Sequence, residues 1–254
     1  EDGSVGGGAM YYLAKGLKQK WLGILFSVLV IPFAFVISAV VDTNTIALAV
    51  ENEFAIPTWI TGIVLASLLL VFGLFAAINQ IGEKQMNAYI DTFSAVEVED
   101  ALTPVLEDGE YFFTTDRDFK VMQLTDVHLG GGFLSRNEDK MTINAIAAMV
   151  QEEKPDLIIV TGDTSFAVPY ISGTINNAIA HRMFMRLMER LEISWTVVFG
   201  NHDSESYNYY NRVAVSKMYD DESLEHCLFL PDGDLSGEGN HVINVKNSLG
   251  LITE

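Results

Sequence analysis

The sequence predicts an α/β protein that carries a two-helix transmembrane hairpin ahead of its folded domain. Three observations lead there. Two long apolar runs, Trp21 to Val41 and Trp59 to Ile78, contain no charged residue. The net charge of −19 is unevenly spread: residues 1–81 hold three lysines against five acids, net −2, while residues 82–254 hold twelve basic and twenty-nine acidic residues, net −17. Within that charged part, short apolar segments alternate with helical periodicities.

Residues 1–20 read as an N-terminal tail. Its first ten, EDGSVGGGAM, are Gly-rich, and Met10 is a candidate start, with residues 1–9 an upstream extension or a flexible tail. Each apolar run is long enough for a span, because roughly 20 residues at about 1.5 Å of rise cross a hydrocarbon core of about 30 Å. Each begins with a tryptophan, which favours the interface. The hairpin region is therefore residues 21–81, with spans at 21–41 and 59–78. Lys15, Lys18 and Lys20 precede the first span, and the connecting loop Asp42 to Thr58 has no Lys or Arg. The positive-inside rule then places a multi-pass anchor in the cell membrane with the rest of the chain in the cytoplasm.

Residues 82–117 read as a linker, with Pro104 and an Asp108-Gly109 turn signal. The domain begins at residue 118 and runs to 254. Phe119 to Leu124 (FKVMQL), Leu157 to Val160 (LIIV) and Trp195 to Phe199 (WTVVF) read as buried strands. Between them, Met141, Ile143, Ile146, Ala147 and Val150 share one helical face, and Ile175, Ile179, Phe184, Leu187, Met188 and Leu191 share another. Strand, helix, strand, helix, strand implies right-handed crossovers and a largely parallel sheet, whose ligands gather at the carboxyl ends of the strands.

Metal-type ligands stand at all three ends: Thr125-Asp126-Val127-His128 after the first strand, Gly162-Asp163 after the second, and Gly200-Asn201-His202-Asp203 after the third. Asp126 and His128 are two residues apart, so in extended backbone they share a face. Gly162 and Gly200 allow tight turns that project Asp163, Asn201 and His202 into the same crevice. The mixed oxygen and nitrogen donors suit Mn, Fe or Zn, and the lack of thiolates argues against a structural zinc site. A single cysteine, Cys227, excludes an internal disulfide framework. The acidic charge argues against a nucleic-acid polymer as partner, and a cation would provide the local positive charge that an anionic ligand needs.

The motifs DVH, GD and GNHD, in this order, resemble those of the calcineurin-like metallophosphoesterase superfamily. The stretch from VMQLTDVHLGG to GEGNHVINV looks most like its purple-acid-phosphatase-related branch. The resemblance implies an α/β/β/α sandwich holding two divalent metal ions. By motif, Asp126 and His128 bind the first metal, Asp163 bridges both, Asn201 binds the second, and His202 is the acid or substrate-orienting group at the leaving oxygen. Asp203 either orients His202 or caps the turn. Two cations roughly 3.5–4 Å apart acidify a bridging water and clamp the phosphoryl oxygens. The implied activity is membrane-anchored, metal-dependent hydrolysis of phosphomonoesters or phosphodiesters, with a phosphoester small molecule or a phosphoprotein as substrate and the lipid bilayer as the other partner. A non-catalytic binding or signalling module that keeps the fold is the alternative, as is a membrane-lipid pyrophosphohydrolase.

The sequence departs from the family pattern twice. The later histidines that complete the family's site are absent before Glu254, which implies an incomplete sandwich, incomplete metal binding and little activity in this fragment. Phe166 stands where many members carry an acid. His226 and His241 read as structural, and the Arg182, Arg186 and Arg190 stripe reads as a solvated face paired with acids.

Overall fold

A computed structural model describes residues 12–231 and 236–251; the glycine-rich start, with Met10, lies outside them. The chain forms two compact units, residues 1–73 and 74–254.

In the first unit, helix α1 (Lys20–Phe54) is one continuous helix, ended by Ala55 in the left-handed conformation with its N–H on the Glu51 carbonyl at 2.9 Å. The expected loop from Asp42 to Thr58 is therefore helical as far as Phe54, and only 55–57 connect. The physical reason lies in Ile46-Ala47-Leu48-Ala49, strong helix formers with no glycine or proline before Pro57. Helix α2 (Thr58–Ile90) follows. Among the described residues it is the one helix long and apolar enough to cross a membrane; its most apolar stretch has a mean hydropathy of 2.5 and buries nothing. The described apolar stretch of α1, Lys20–Val30, is shorter.

In the second unit, the last turns of α2 lead to an antiparallel pair, β1 (Val105–Glu107) and β2 (Glu110–Thr114), around Asp108-Gly109. β2 also pairs in parallel with β6 (Ile243–Lys246). Residues 82–117, expected as a linker, thus supply the end of a helix and two strands of a sheet ordered β1-β2-β6. The other sheet is parallel, in the order β3 (Val121–Leu124), β4 (Leu157–Thr161) and β5 (Trp195–Val198). Helices α3 (Arg136–Glu153) and α5 (Asn177–Leu191) provide its crossovers, and the short helix α4 (Pro169–Ser172) lies before α5.

The strands alternate their side chains between two cores, as the pleat requires. Ile158 and Val160 join Ile143, Val150, Phe184, Leu187, Trp195 and the end of α2 (Met86, Ile90) in the larger core. Leu157 meets Phe113 and Leu228 in the smaller one, with Ile159, Phe119, Ile243 and Val245 packed against it. The parallel sheet therefore has helices on one face and the second sheet on the other: three layers, α/β/β, among the described residues. The fourth, helical layer of the expected α/β/β/α sandwich is not among them.

The arginine stripe on α5 serves this unit. Arg182 Nε donates to Glu83 at 2.6 Å, Arg186 grips Asp91 with two bonds of 2.7 Å, and Arg190 Nε donates to the Phe93 carbonyl at 2.6 Å.

Asp156, just before β4, fixes the start of the sheet. Its carboxylate accepts two bonds from Arg117, at 2.6 and 2.8 Å, and one from the Lys120 N–H at 2.8 Å. Burial pushes this carboxyl upward, but the Arg117 and Lys120 bonds outweigh it and hold the group below its ordinary value. Asp156→Asn is expected to cost about 1–2 kcal/mol at neutral pH, a modest figure because Arg117 sits at the surface. A depressed folded value means stability present above the unfolded carboxylate range and lost as pH falls through the folded value. Urea denaturation as a function of pH should therefore show wild type and variant converging in acid; a constant gap would contradict the assignment.

Candidate metal centre

The candidate site is built by keeping the strand-end loops paired beyond the strands themselves. Past β3 and β4, Asp126 N–H donates to the Gly162 carbonyl at 3.2 Å, His128 N–H to the Asp163 carbonyl at 2.9 Å, and Leu129 N–H to the Thr164 carbonyl at 2.9 Å. This register sets His128 beside Asp163. The backbone is not extended as expected: Asp126, His128 and Asp163 have φ of 52°, 53° and 54°. Left-handed conformation in residues other than glycine is uncommon and stores strain, which concentrates at functional sites. Buried Val127 lies between the first two, and their side chains still meet, with Asp126 Oδ1 3.8 Å from His128 Nε2.

The β4 and β5 loops approach through two glycines. A Cβ on Gly162, at φ 106°, would sit 2.7 Å from Gly200 N, and one on Gly200 would sit 2.6 Å from Asp163 N and against its carboxylate. Gly200→Ala is thus expected to displace Asp163 and to lower stability by about 1–3 kcal/mol, read by chemical denaturation. Unchanged stability would show that the loops have room the structure does not give them.

His128, Asp163 and His202 converge, each offering a ligand atom within 4.8 Å of the other two. Asp163 is the more sequestered of the two candidate metal-binding carboxylates, with a side chain 13% exposed against 60% for Asp126. Its Oδ1 accepts the His202 N–H at 2.8 Å, and its Oδ2 lies 3.9 Å from His128 Nε2. Asp126 stands at the rim with a side chain 60% exposed, and Thr125 Oγ1 donates to its Oδ2 at 2.6 Å. Asn201 is exposed at the start of the 3₁₀ turn His202–Ser204. Among the described residues, the ion-pair partner of Asp126 and Asp163 is His128, with no lysine or arginine beside them.

Asp203 turns the other way. It is fully buried, and its carboxylate accepts the N–H groups of Gly200 at 2.8 Å and of Asp163 and Ser165 at 2.9 Å. Of the two readings of Asp203, its contacts fit the one that holds the turn: no hydrogen bond links its side chain to that of His202, and it ties the β4 and β5 loops together from beneath. Turn geometry decides this, because the 3₁₀ turn sends consecutive side chains in different directions.

Two neighbours of His202 were not singled out as site residues from the sequence. Glu205 Oε1 lies 3.0 Å from His202 Nδ1, and the signal for it was the three-residue spacing across the turn. Phe166 packs against both histidines, its ring centroid 4.9 Å from His128 and 4.8 Å from His202. Elsewhere, His241 Nε2 lies 2.6 Å from Thr196 Oγ1, a structural contact. Burial pushes the Cys227 thiol up to about 12, which disfavours the thiolate.

Residues 119–250 match the family model described as calcineurin-like phosphoesterase. Residues 1–95 match the sodium:alanine symporter family. The "Probable inactive purple acid phosphatase 28" of Arabidopsis thaliana is 32% identical over 107 residues, 37% of this chain and 25% of the relative. The "Probable inactive purple acid phosphatase 14" of Arabidopsis thaliana is 31% identical over 163 residues, 54% of this chain and 37% of the relative. At the other end, the "Amino-acid carrier protein AlsT" of Bacillus subtilis (strain 168) is 43% identical over 70 residues, 26% of this chain and 15% of the relative. No solved structure matches. The chain thus spans between a quarter and somewhat over a third of the phosphatase relatives. The phosphoesterase model covers just over half of the chain and spans all three strand-end loops: the chain belongs to the calcineurin-like phosphoesterase family, in its purple-acid-phosphatase branch.

Proposed function

We propose that residues 119–250 act as a metal-dependent phosphoesterase on phosphomonoesters or phosphodiesters, carried by a small molecule or a phosphoprotein. The observation that carries this reading is the convergence of His128, Asp163 and His202 at the carboxyl ends of three parallel strands. The residues fit a divalent cation: the cluster offers a carboxylate and imidazole nitrogens without a thiolate, and among the described residues no lysine or arginine lies within ion-pair distance of Asp163 or Asp126. His128 and Asp163 would hold the ion, with Asp126 and Asn201 as further donors and Asp163 shared if two ions bind. Mn, Fe and Zn all suit this set. When bound, the metal supplies charge to offset that of the phosphoryl group and acidifies water.

The chain's own residues do the rest. Asp163 spends Oδ1 on the His202 N–H, which leaves Oδ2 for the cation and fixes His202 relative to it. His202 holds a proton at a ring nitrogen for the leaving oxygen. Asp203 keeps the Asp163 and Gly200 backbones in register from beneath. The test is hydrolysis of p-nitrophenyl phosphate with Mn²⁺, Zn²⁺ or Fe²⁺ added in turn. The reading expects metal-dependent turnover that Asp163→Ala abolishes.

A second reading, a binding module without turnover, is favoured by the word "inactive" in the names of two relatives. Saturable metal binding with no hydrolysis of any phosphoester would establish it.

We also propose that α1 and α2 form a membrane hairpin with the phosphoesterase on the cytoplasmic side. The support is the exposed apolar surface of α2, including Trp59, Leu69, Leu70 and Phe72, and the match of residues 1–95 to a symporter family. Protease treatment of sealed vesicles of known orientation should digest the domain only from the cytoplasmic face.

A further inference from the structure

The ring of His202 is caged on its faces and edges but has a single polar neighbour at Nδ1. Phe166 meets it edge-on at 89° with centroids 4.8 Å apart, and His128 lies 5.4 Å away at 79°. Phe166 offers no acceptor. Nδ1 is buried and makes no aligned hydrogen bond, yet Glu205 Oε1 lies 3.0 Å from it. The 3₁₀ turn brings Glu205 there, because residues three apart in such a turn eclipse one another. The distance is that of a hydrogen bond and only the angle is off. Glu205, with a side chain 31% exposed, has room to rotate into line.

We infer that Glu205 is a positioning residue that sets the tautomer and direction of the His202 ring, its carboxylate accepting Nδ1–H so that Nε2 faces the His128–Asp163 cluster. Which nitrogen of a neutral imidazole carries the proton is decided by the partner of the other. The two aromatic neighbours restrain the ring plane, and Glu205 selects between the orientations related by a ring flip. The catalytic consequence rests on the phosphoesterase reading. As the P–O bond breaks, the proton on Nε2 passes to the leaving oxygen, and the imidazole that remains is the Nδ1–H form that Glu205 already holds. A proton from water then restores Nε2–H. Loss of Glu205 would let the ring flip, which turns Nε2–H away from the leaving oxygen without touching the residues that hold the phosphoryl group.

The experiment is long-range ¹⁵N–¹H NMR on the full chain labelled at its five histidines, at mildly alkaline pH where imidazoles are neutral. His202→Asn identifies the signal. The wild type should show His202 as the Nδ1–H tautomer. Glu205→Gln, whose amide oxygen still accepts, should keep it, and Glu205→Ala should convert it to Nε2–H or a mixture while the other histidine signals stay in place. A wild-type Nε2–H tautomer, or an unchanged spectrum in Glu205→Ala, would overturn the inference. A kinetic arm then separates positioning from folding. Glu205→Ala should lower kcat on an alkyl phosphate, which needs a proton at its leaving oxygen, by roughly 10–100-fold more than on p-nitrophenyl phosphate. KM should change by less than about twofold; an equal loss on both substrates, or a loss confined to KM, would contradict it. Absence of turnover in the wild type would remove the phosphoesterase reading instead, and the tautomer would still decide the role of Glu205.

Discussion

Replacing Asp203 by alanine is expected to destabilise the domain by about 3 kcal/mol or more, the largest stability effect of any residue at the site. The carboxylate is fully buried, and three backbone N–H groups depend on it, those of Gly200, Asp163 and Ser165. A buried donor left without an acceptor costs roughly 1–3 kcal/mol, and partial relaxation keeps the sum below three full penalties. Beneath Asp203, the Asn177 side chain donates to its carbonyl at 2.8 Å, and buried His181 lies 3.8 Å from its carboxylate and 2.7 Å from the Tyr219 hydroxyl. Burial pushes the His181 imidazole below its ordinary value, against the pull of the Asp203 charge. With a folded value that is depressed, the unfolded chain takes up this proton first, so stability declines as pH falls below about 6.5. Removing Asp203 removes the opposing pull and should steepen that decline. Urea denaturation across pH measures both effects. A loss under about 1 kcal/mol, or an unchanged pH slope, would show that the loops do not depend on this carboxylate.

Asp163→Ala is expected to have the largest functional effect, lowering metal-dependent hydrolysis by at least roughly 100-fold. It should also uncouple stability from metal. A ligand that binds only the folded state adds about 2.7 kcal/mol at 100 times its Kd, so Mn²⁺ should raise the wild-type melting temperature and leave the variant where it was. Without metal the variant should be about 1–3 kcal/mol less stable than wild type, because the His202 N–H loses its acceptor and alanine tolerates the left-handed backbone less well than aspartate. An equal metal-induced shift in both proteins would place the ion elsewhere.

Much of this was legible in the sequence, for identifiable reasons. FKVMQL, LIIV and WTVVF are apolar and too short for helices; β3 and β5 lie within the first and last, and β4 runs one residue past LIIV, to Thr161. The two helices between them show their buried faces at a period of 3.6 residues, so the parallel order and the strand-end loops followed from chain connectivity. What escaped depended on distant partners or on the geometry of turns. β2 pairs locally with β1, which is exposed throughout, and on its other edge with β6, about 130 residues further on; no local pattern announces that second pairing. Asp203 and Glu205 both follow His202 closely, and side-chain alternation cannot decide which of them reaches the ring. The 3₁₀ turn sends Asp203 into the core and Glu205 to Nδ1. Asp126 and His128 met as expected, but through two left-handed residues rather than an extended strand.

The proposed divalent-cation site lies where the three strand-end loops meet, around His128 and Asp163. Titrating the full chain into Mn²⁺ and following the electron paramagnetic resonance of the free ion tests it directly, without any need for turnover. The prediction is saturable loss of the free-ion signal at a defined stoichiometry in the wild type, abolished in Asp163→Ala and weakened in His128→Ala. Loss that never saturates, or that persists unchanged in Asp163→Ala, would contradict the site.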